Sequence, residues 1–545
     1  MKTLLPIGTA AAMSVVAAVF PWPAAAVDVP GYEQGCLSTM SQTSLENLRA
    51  MTDQRIDEIR ATPNMALPWG ATVRYVSADG DDDANGRTPE TAWKTLDKLT
   101  YTNLHPSAWS TVKYVLFRRG DVFRGTLKAV EGVTYSAYGE GPKPCIYSSP
   151  ENGADPSKWT KAPGTENVWC YHIGNSDVGT LVFDGGRAHA IKIVPKHNTN
   201  GVEFTQQYNG LAFTNGYKDL AYDLHFWHDY QKTSFEPHAT GSGNLYLYSK
   251  GGQNPGERFR SIEFNVRKHG VSVGTCSNVH IDNICIKYVG SHGIGAGTAK
   301  GLKVTNCELG WIGGSIQYEN EPSAVRFGNA VEIYGGCDNY VVSNCYVYQV
   351  YDAGITQQYN VNNSTTNVFY QKGMRYTCNV VENCNYSIEY FLSRVPAENP
   401  SRMENFLIDN NIMWDAGYGY CQQRPDGTTG SHIKSWRNGS NRATGYVVRD
   451  NVFARGKEML IEISSGLANP DGSDSMPTLT NNVFIGTNGQ RFGVVNQGTA
   501  VELRYDANGV TTFCENYAEN TFLSYREPRR KYSLSIVPLG PQKER

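Results

Sequence analysis

The sequence predicts an all-β fold, a single right-handed parallel β-helix, from a short repeat, its spacing and its composition. The repeat is an apolar residue, any residue, then Asn or Asp, and its copies begin at Ile281, Val304, Val342, Val381, Ile408, Val448 and Leu479. Each copy alternates apolar and polar residues and is rich in Val and Ile, as β-strands are. The copies lie 23 to 40 residues apart, a period typical of solenoids. Because no helical pattern separates them, the strands are expected to stack as the rungs of a coil.

A second recurrent strand carries ionisable residues. Aligned on an inward apolar residue, its copies are Gly293–Gly295, Ala330–Glu332, Gly354–Thr356, Ser387–Glu389, His432–Lys434 and Leu460–Glu462. Side chains on a strand point to alternate faces, and neighbouring rungs lie about 4.8 Å apart. The outward residues Glu332, Thr356, Glu389, Lys434 and Glu462 are therefore predicted to form one column on a single face. Charged groups have no packing reason to stack in this way, so the column is a candidate cleft.

Residues 1–26 predict a secretory signal peptide. This segment has Lys2, an apolar run from Leu4 to Phe20, and a small-residue stretch that ends at Ala26. An uncleaved membrane anchor is the alternative. No later segment has the roughly 18 apolar residues that span a bilayer. We therefore expect an exported protein, either secreted, periplasmic or held at the cell surface, with no membrane contact after the signal is removed.

Residues 27–66 are predicted to form an N-terminal cap that contains one helix. The helix covers about residues 44–59, with Ser44 as candidate N-cap and apolar residues such as Leu48 and Ile56 at helical steps. The open end of a solenoid exposes unpaired strand edges. A helix just before the first strand is therefore expected to cover such an end.

The remaining chain divides into four parts. Residues 67–150 hold the first coils, 151–270 a β-rich insertion in which the repeat lapses, 271–490 the main β-helix with its catalytic face, and 491–545 a C-terminal cap and tail. The insertion contains two strand patterns, Phe226–Asp229 and Asn244–Tyr248. They are expected to form a small β module that leans on the coil.

An acidic loop in the first coils raises the question of bound calcium. Asp79, Asp81 and Asp83 bring together oxygen ligands of the kind that calcium prefers. The same residue types also favour a solvated turn. We expect no cofactor, with calcium at this loop as the alternative.

The cysteines predict buried thiols. Cys307, Cys345 and Cys384 each follow an Asn directly, so they are expected to stack at one register inside the coil. Cys36, Cys145 and Cys170 are candidates for disulfide pairing, with no readable connectivity. No cysteine spacing matches a zinc site.

Three stretches of the chain resemble a known group of enzymes. Residues 75–125 place a strand before an Asp/Gly/Asn loop, residues 226–248 place a Trp-containing strand before Leu-Tyr-Leu-Tyr, and residues 280–462 carry the repeat. Together they resemble the β-helix glycoside hydrolases of exported bacterial sugar-degrading systems, and are most similar to sequences related to the lacto-N-biosidases of gut bacteria. The resemblance implies a β-helix that cleaves glycosidic bonds in oligo- or polysaccharides, host glycans included.

The catalytic pair of that family does not transfer to this chain. The family uses two Asp residues seven positions apart, and no two aspartates between Asp282 and Asp450 have this spacing. Glu382 and Glu389 have it, but Glu382 lies within a copy of the repeat. The catalytic residues must therefore come from the column.

Carboxyl groups of the column fit glycoside hydrolysis, which takes one acid and one base or nucleophile. Glu332 and Glu389 are two rungs apart, about 10 Å at the backbone, and their side chains can reach the roughly 6.5–9.5 Å separation of an inverting enzyme. Asp352, in the turn before the Thr356 strand, would give the closer, retaining arrangement. The sequence leaves both arrangements open.

Lys434 has a structural interpretation and a catalytic one, and the catalytic one is an alternative to hydrolysis. It is either part of a salt-bridge ladder with Glu389 and Glu462, or the base of a polysaccharide lyase or epimerase that acts on uronates, whose carboxylate Arg424 would neutralise. A glycan-binding surface solenoid without catalysis is the third function. The predicted catalytic residues are Glu332, Asp352, Glu389 and Lys434.

The predicted binding residues lie on or beside the same face. They are Tyr334, Gln357, His432, Trp436, Arg424 and Glu462, with Tyr334 and Trp436 as stacking platforms for sugar rings. The net charge of −3 provides no basic footprint for nucleic acid. The expected partner is an oligosaccharide or polysaccharide.

Overall fold

The computed structural model describes Tyr32, Gln34 and residues 37–525, except 108–109, 195, 199–200, 204, 207–210, 213–214, 234–237, 321–322, 425–429, 436–440, 464–471, 474, 488–489, 491–493, 497–498 and 502–517. The predicted signal peptide, Cys36 and the tail after residue 525 lie outside the described residues. No helix in the described part is long and apolar enough to cross a membrane.

The described strands wind into a three-sided coil of parallel strands, which confirms the predicted β-helix. One face, which we call the helix face because the helix Gln42–Arg60 packs on it, contains Val122–Arg124, Cys145–Tyr147, Cys285–Val289, Glu308–Ile312, the first parts of Tyr346–Asn360 and Val380–Ser393, Ile412–Ala416, Val452–Gly456, Val483–Thr487, Thr521–Tyr525 and Leu37–Thr39. The site face contains Leu127–Lys128, Val271–Gly274, Ile294–Ala296, Val331–Tyr334, the second parts of Tyr346–Asn360 and Val380–Ser393, Ser431–Ser435 and Ile461–Glu462.

The third face closes the coil. It contains Val73–Val76, Tyr114–Arg118, Thr134–Tyr138, His280–Asp282, Lys303–Thr305, Val341–Ser343, Arg375–Thr377, Arg402–Asp409, Ala443–Arg449 and Thr478–Thr480. Short strands extend this sheet toward the site face: Ala299–Lys300, Cys337–Asp338 and Tyr370–Lys372. Val, Ile, Leu and aromatic side chains from all three faces fill one continuous core.

The repeat reflects the corners of the coil. Residues at three corners have φ between 52° and 66°, a left-handed conformation that Asn, Asp and Gly adopt at the least cost. The first corner has Asn278, Gly301, Asn339, Gly373, Asn405 and Gly445; the second has Asn283, Asn306, Asn344, Cys378, Asn410, Asp450 and Asn481; the third has Tyr288, Trp311, Gln349, Asn383, Asp415 and Arg455. Successive corners of one rung are five residues apart, so the recurring Asn or Asp is the second corner.

One copy of the predicted repeat is wrong. Asn383 belongs to the third corner, and the second corner of the same rung is Cys378. Tyr376–Cys378 is therefore the copy that stacks on its neighbours, and Val381–Asn383 is not. The error arose because Asn also occupies the third corner there, and Cys stands where the repeat requires Asn.

An internal ladder of amides runs along the coil just after the second corner. Its members are Asn379, Asn411, Asn451, Asn482 and Asn520, and each backbone N–H of one donates to the side-chain oxygen of the next at 3.0–3.1 Å. Cys307 and Cys345 continue this register, as predicted, and the Cys345 N–H donates to Asn379. Cys384 was predicted to join them and does not, because it follows the third corner and pairs with Val350.

The predicted helix is present as Gln42–Arg60, but its role differs from the prediction. Its N-cap is Ser41, whose hydroxyl accepts from the Ser44 N–H at 3.0 Å. The helix lies along the helix face and not over an end of the coil, because its apolar stripe belongs to one cluster with outward residues of six rungs. Arg60, the last residue of the helix, reaches Glu308 at 3.2 Å, and Arg49, near the middle of the helix, reaches Glu382 at 2.6 Å.

The strand Leu37–Thr39 covers the end of the coil instead. It pairs in parallel with Thr521–Tyr525, the last described rung. The N-terminal segment thus supplies the final strand of the coil and then runs back along the helix face.

The insertion forms a module beside the corner between the helix face and the site face, and its strands pair antiparallel except for Ile191–Lys192, which pairs in parallel with His225–Asp229. Its strands are Trp159–Lys161, Val168–His172, Val178–Phe183, Ala188–His189, Ile191–Lys192, Lys196–Asn198, Gly201–Glu203, Thr205–Gln206, Leu211–Ala212, His225–Asp229, Asn244–Tyr248 and Ile262–Val266. The two predicted strands pair with each other, Phe226 opposite Leu247. The hairpin Ile316–Asn320 and Ser323–Arg326 extends from the coil and pairs with this module at Lys196.

The remaining described elements are short. The α-helices are Tyr101–Leu104 and Pro255–Arg258; the 3-10 helices are Pro89–Thr91, Leu96–Lys98, Pro156–Lys158, Asp184–Gly186, Gly216–Asp219, Lys250–Gly252 and Gly419–Gln423; the last hairpin is Val494–Asn496 with Thr499–Val501.

Candidate active site

The five residues of the predicted column occupy neighbouring strands of the site face, and we call them the site column. Glu332 pairs with Thr356, and Thr356 with Glu389. Glu389 then pairs with Lys434, and Lys434 with Glu462. The register predicted from the inward Val and Ile residues is therefore confirmed.

The site column is buried and does not lie on an open surface. Thr356 is fully buried, and Glu389 and Glu332 are 2% and 6% exposed. Two residues beyond Glu332 on the same strand, Tyr334 is 46% exposed. The exposed part of this face therefore begins next to Glu332.

The carboxylate of Glu332 is held by two donors. His292 Nε2 lies 2.7 Å from Oε2, and the Asn329 side-chain amide donates to the same oxygen at 3.0 Å. Burial alone raises the pKa of Glu332, but the interactions with His292 and Asn329 outweigh it and hold the pKa below its ordinary value. Glu332 is therefore ionised at neutral pH and suits the role of a base.

Sequence reasoning missed two histidines at this site. His269 and His292 stack with ring centroids 5.3 Å apart, and the His269 ring lies over Gly295, where a Cβ would come within 3.3 Å of it. Burial and the nearby His292 ring lower the pKa of His269 to about 4. A sequence signal was present, because each histidine stands two residues before the inward residue of its strand, as Asn329 does.

Thr356 stands between the two carboxylates without a partner. Its hydroxyl is buried and has no hydrogen bond within the part of the chain that the structure describes. Buried polar groups are nearly always satisfied, so an unpaired one marks a place for ordered water or a ligand. Glu389 on the next strand accepts from the Gln358 side-chain amide.

Asp352 lies at the corner before Thr356, and its carboxylate is paired with the guanidinium group of Arg424. Arg424 donates to its carboxylate at 2.7 Å and stacks over Tyr351, 5.2 Å from the ring centroid. The neighbouring Ala353 N–H donates to Asn329 Oδ1 at 3.0 Å. Asp352 and Arg424 thus form an ion pair outside the site column, next to Asn329, the residue that donates to Glu332.

Lys434 and Glu462 form a buried ion pair with each other. Their side chains are 6% and 4% exposed. This arrangement agrees with the salt-bridge interpretation of Lys434. The Lys434 amine is engaged by a carboxylate within the protein, which disfavours its use as a base.

Tyr334 has the geometry of a binding platform. Its ring is half exposed and lies 5.6 Å from that of Tyr359, which packs against Phe369 at 3.9 Å. Flat exposed aromatic surfaces of this kind suit the apolar face of a sugar ring.

Two predicted binding residues are corrected. Gln357 is fully buried and accepts from the Tyr376 hydroxyl, because the alternation that turns Thr356 outward turns Gln357 inward. His432 is fully buried too; its Nδ1 lies 3.0 Å from the Ser387 hydroxyl, and its Nε2 lies 3.1 Å from the Ala454 carbonyl oxygen. Burial lowers the pKa of His432 to about 3, so the ring is neutral and structural. Trp436 lies outside the described residues.

The acidic loop is used within the protein. Asp79 pairs with Arg118 at 2.6 Å, and Asp81 accepts from the Asp83 N–H at 2.9 Å. Among the residues that the structure describes, no three His, Cys, Asp or Glu side chains are arranged to hold a metal ion. Calcium at this loop stays a prediction.

The fold and the site column define this chain as a parallel β-helix protein with a buried column of polar and charged side chains on one face. No family model matches it, and no match was found among curated proteins. Among solved structures it is similar to a GH136 lacto-N-biosidase from Eubacterium ramulus, at 13% identity and a TM-score of 0.43, over 83% of this chain and 60% of that one.

Two further solved structures show a likeness of similar size. One is XylC in complex with xylose, at 12% identity and a TM-score of 0.40, over 78% of this chain and 69% of that one. The other is a family 28 exopolygalacturonase from Yersinia enterocolitica, at 10% identity and a TM-score of 0.34, over 76% and 72%. Likenesses this remote identify neither a family nor an activity, and the β-helix is established by the chain's own strand pairings.

Proposed function

We propose that this protein is an exported glycoside hydrolase that cleaves oligo- or polysaccharides with inversion at the anomeric carbon. Glu332 is the general base and Glu389 the general acid. The observation that carries the proposal is the unpartnered Thr356 hydroxyl, buried between these two carboxylates on adjoining strands.

The spacing of the two glutamates supports inversion. Two rungs separate their backbones by about 10 Å, and side-chain rotation brings the carboxyl groups into the range of roughly 6.5–9.5 Å that leaves room for a water molecule. Retaining enzymes need about 5–5.5 Å. Asp352 would supply that shorter distance, but its carboxylate is bound by Arg424.

Each residue has a defined step in this reaction. Glu389 donates its proton to the glycosidic oxygen as the bond to the anomeric carbon breaks. Glu332 removes a proton from a water molecule that the Thr356 hydroxyl orients, and this water attacks the opposite side of the sugar ring. Glu389 ends ionised and Glu332 protonated, and solvent exchange restores both.

Hydrolysis is preferred to β-elimination because of the ion pair that Lys434 forms. A lyase base must be directed at a proton of the substrate, and the Lys434 amine is bound to Glu462 within the protein. Tyr334 supplies a stacking surface that either sugar class would use, so it supports a glycan substrate without distinguishing the reaction.

The proposal is tested with the full-length protein on a panel of host and plant glycans, with products identified by mass spectrometry and NMR. We expect products heavier by one water molecule and an inverted anomeric configuration in the first turnovers. Glu332→Gln and Glu389→Gln should each lower kcat by about a thousandfold.

Glu404→Gln is the matched control, since Glu404 lies on the third face in ion pairs with Lys372 and Arg402. It should retain full activity. An unsaturated uronate product would establish a lyase instead. Glycan binding without turnover, unchanged in both glutamine variants, would establish a binding protein.

A further inference from the structure

A ladder of polar side chains approaches Glu332 from the neighbouring rungs. His269, His292 and Asn329 stand two residues before the inward residues of three consecutive strands, and we call them the histidine ladder. The His292 N–H donates to His269 Nδ1 at 3.2 Å, and the Asn329 N–H donates to His292 Nδ1 at 3.2 Å. The Ala353 N–H then donates to Asn329 Oδ1 at 3.0 Å.

These bonds determine which ring nitrogen of His292 carries hydrogen. A backbone N–H can only donate, so Nδ1 of His292 must be the acceptor and cannot be protonated. The hydrogen of the neutral ring is therefore on Nε2, which points at Glu332 Oε2 at 2.7 Å. The same argument places the hydrogen of His269 on its Nε2.

Both donors to Glu332 use the same oxygen. His292 and Asn329 bond Oε2, and no residue in the described part of the chain donates to Oε1. The carboxylate is thus fixed on one side and left available on the other. The titratable groups around it include His269, Tyr334 and Tyr340, and Glu389 stands two strands away in the site column.

We propose that His292 is a positioning residue for Glu332: held as the Nε2–H tautomer by the histidine ladder, it keeps the carboxylate ionised and turns Oε1 toward the reacting water. Its role in catalysis rests on the function proposed above. The effect of His292 on Glu332 does not depend on that function, because the contact exists in the protein without substrate.

The first test needs no substrate. His292→Ala and Glu332→Gln are made singly and together, and urea unfolding is measured at pH 7. We expect the effect of His292→Ala on the unfolding constant to be about tenfold smaller in the Glu332→Gln background, since contacting residues couple. Equal effects in both backgrounds would overturn the proposal.

The second test is the pH profile of kcat on a glycan that the wild-type protein hydrolyses. In His292→Ala the carboxylate loses a donor, so its pKa rises and the acid limb moves up by about one pH unit. His292→Gln offers a neutral N–H at similar reach and should restore most of the limb. His280→Gln, a histidine of the third face bonded to Thr305, should leave the profile unchanged.

The two proposals fail in different ways. An active enzyme whose acid limb does not move in His292→Ala refutes the positioning role and leaves the hydrolase intact. If His292→Ala and Glu332→Gln are coupled in the unfolding measurements but no glycan is hydrolysed, the hydrolase is refuted. The contact of His292 with Glu332 is then still supported.

Discussion

Glu332 and Glu462 stand in the same column and are similarly buried, at 6% and 3% exposure, yet their partners differ. Glu462 faces the ammonium group of Lys434, which neutralises it. Glu332 faces neutral donors and keeps one oxygen without a protein donor among the described residues. At the scale of the residue, the partner and not the burial separates a structural carboxylate from a candidate base.

A different buried carboxylate provides a stability test. Asp177 is 1% exposed and pairs with the buried Lys192, while it also accepts from the Ile316 N–H at 2.6 Å. Asp177→Asn removes the carboxylate that the buried ammonium group of Lys192 faces, so we expect a loss of about 3–5 kcal/mol in the free energy of unfolding at pH 7. Asp223→Asn, in a pair with Arg258 that is about one quarter exposed, should cost less than about 1 kcal/mol.

The same pair predicts a dependence on pH. Burial raises the pKa of Asp177, but the charge of Lys192 and the donors around it prevail and lower the pKa to about 2. A depressed pKa stabilises the fold above the unfolded value of about 4, and the contribution is lost as pH falls toward 2. The gap between wild type and Asp177→Asn, measured by urea unfolding, should therefore shrink from pH 7 to pH 3. An unchanged gap would contradict the assignment.

At the scale of the element, the amide ladder explains how a coil with a polar interior row remains stable. Asn411 is 1% exposed; its side chain donates to the Tyr376 carbonyl and to Asn451, and accepts from Asn379. Each amide satisfies backbone and side-chain groups of adjacent rungs, so the row transmits the register from one turn to the next.

Removal of one amide should therefore weaken the coil. Asn411→Ala leaves buried groups of two rungs unpaired, and we expect a loss of about 2–4 kcal/mol in the free energy of unfolding. Circular dichroism during thermal unfolding measures the loss. Gln54→Ala, which removes an exposed amide on the helix that bonds Glu58, is the control and should change little. Similar midpoints for both variants would show that the ladder contributes no stability.

At the scale of the whole molecule, the coil is closed by a strand that comes from the opposite end of the sequence. Leu37–Thr39 pairs with Thr521–Tyr525, 485 residues apart at Leu37 and Phe522. An unpaired last rung would present free N–H and C=O groups to other molecules.

Truncation tests this closure. A chain that begins at Gln42 keeps the helix and loses the strand, so the edge of Thr521–Tyr525 is exposed. We expect dimers or larger aggregates by light scattering after size exclusion, while a chain that begins at Tyr32 stays monodisperse. If both chains have the same mass in solution, the strand has no protective role.

Much of the fold could be predicted because its determinants are local. The left-handed residues of the first two corners are Asn, Asp or Gly except at Cys378, and alternation within each strand sorts side chains into inward and outward sets. These two rules yielded the coil and the register of Glu332, Thr356 and Glu389. They failed at Asn383, because this rung carries Cys378 at the second corner and Asn at the third, and only pairing with the neighbouring rungs distinguishes the two corners.

The site could be predicted only in part. The column followed from periodicity, but His269 and His292 precede their strands, and no spacing within one rung links them to Glu332. The inward orientation of Gln357 was available from the alternation and was overlooked. The burial of His432 could not be predicted from the sequence, because its partners Ser387 and Ala454 come from other turns.

The sequence by itself determined a coil with one ionisable column, because the period of two along a strand and the corner residues act within a few positions. Only the tertiary structure decided which members of the column carry neutral donors, which are paired with opposite charge, and which hydroxyl is left unsatisfied. Those partners lie one rung or more away, and the loops between rungs differ in length, so contact between them depends on how the whole coil stacks.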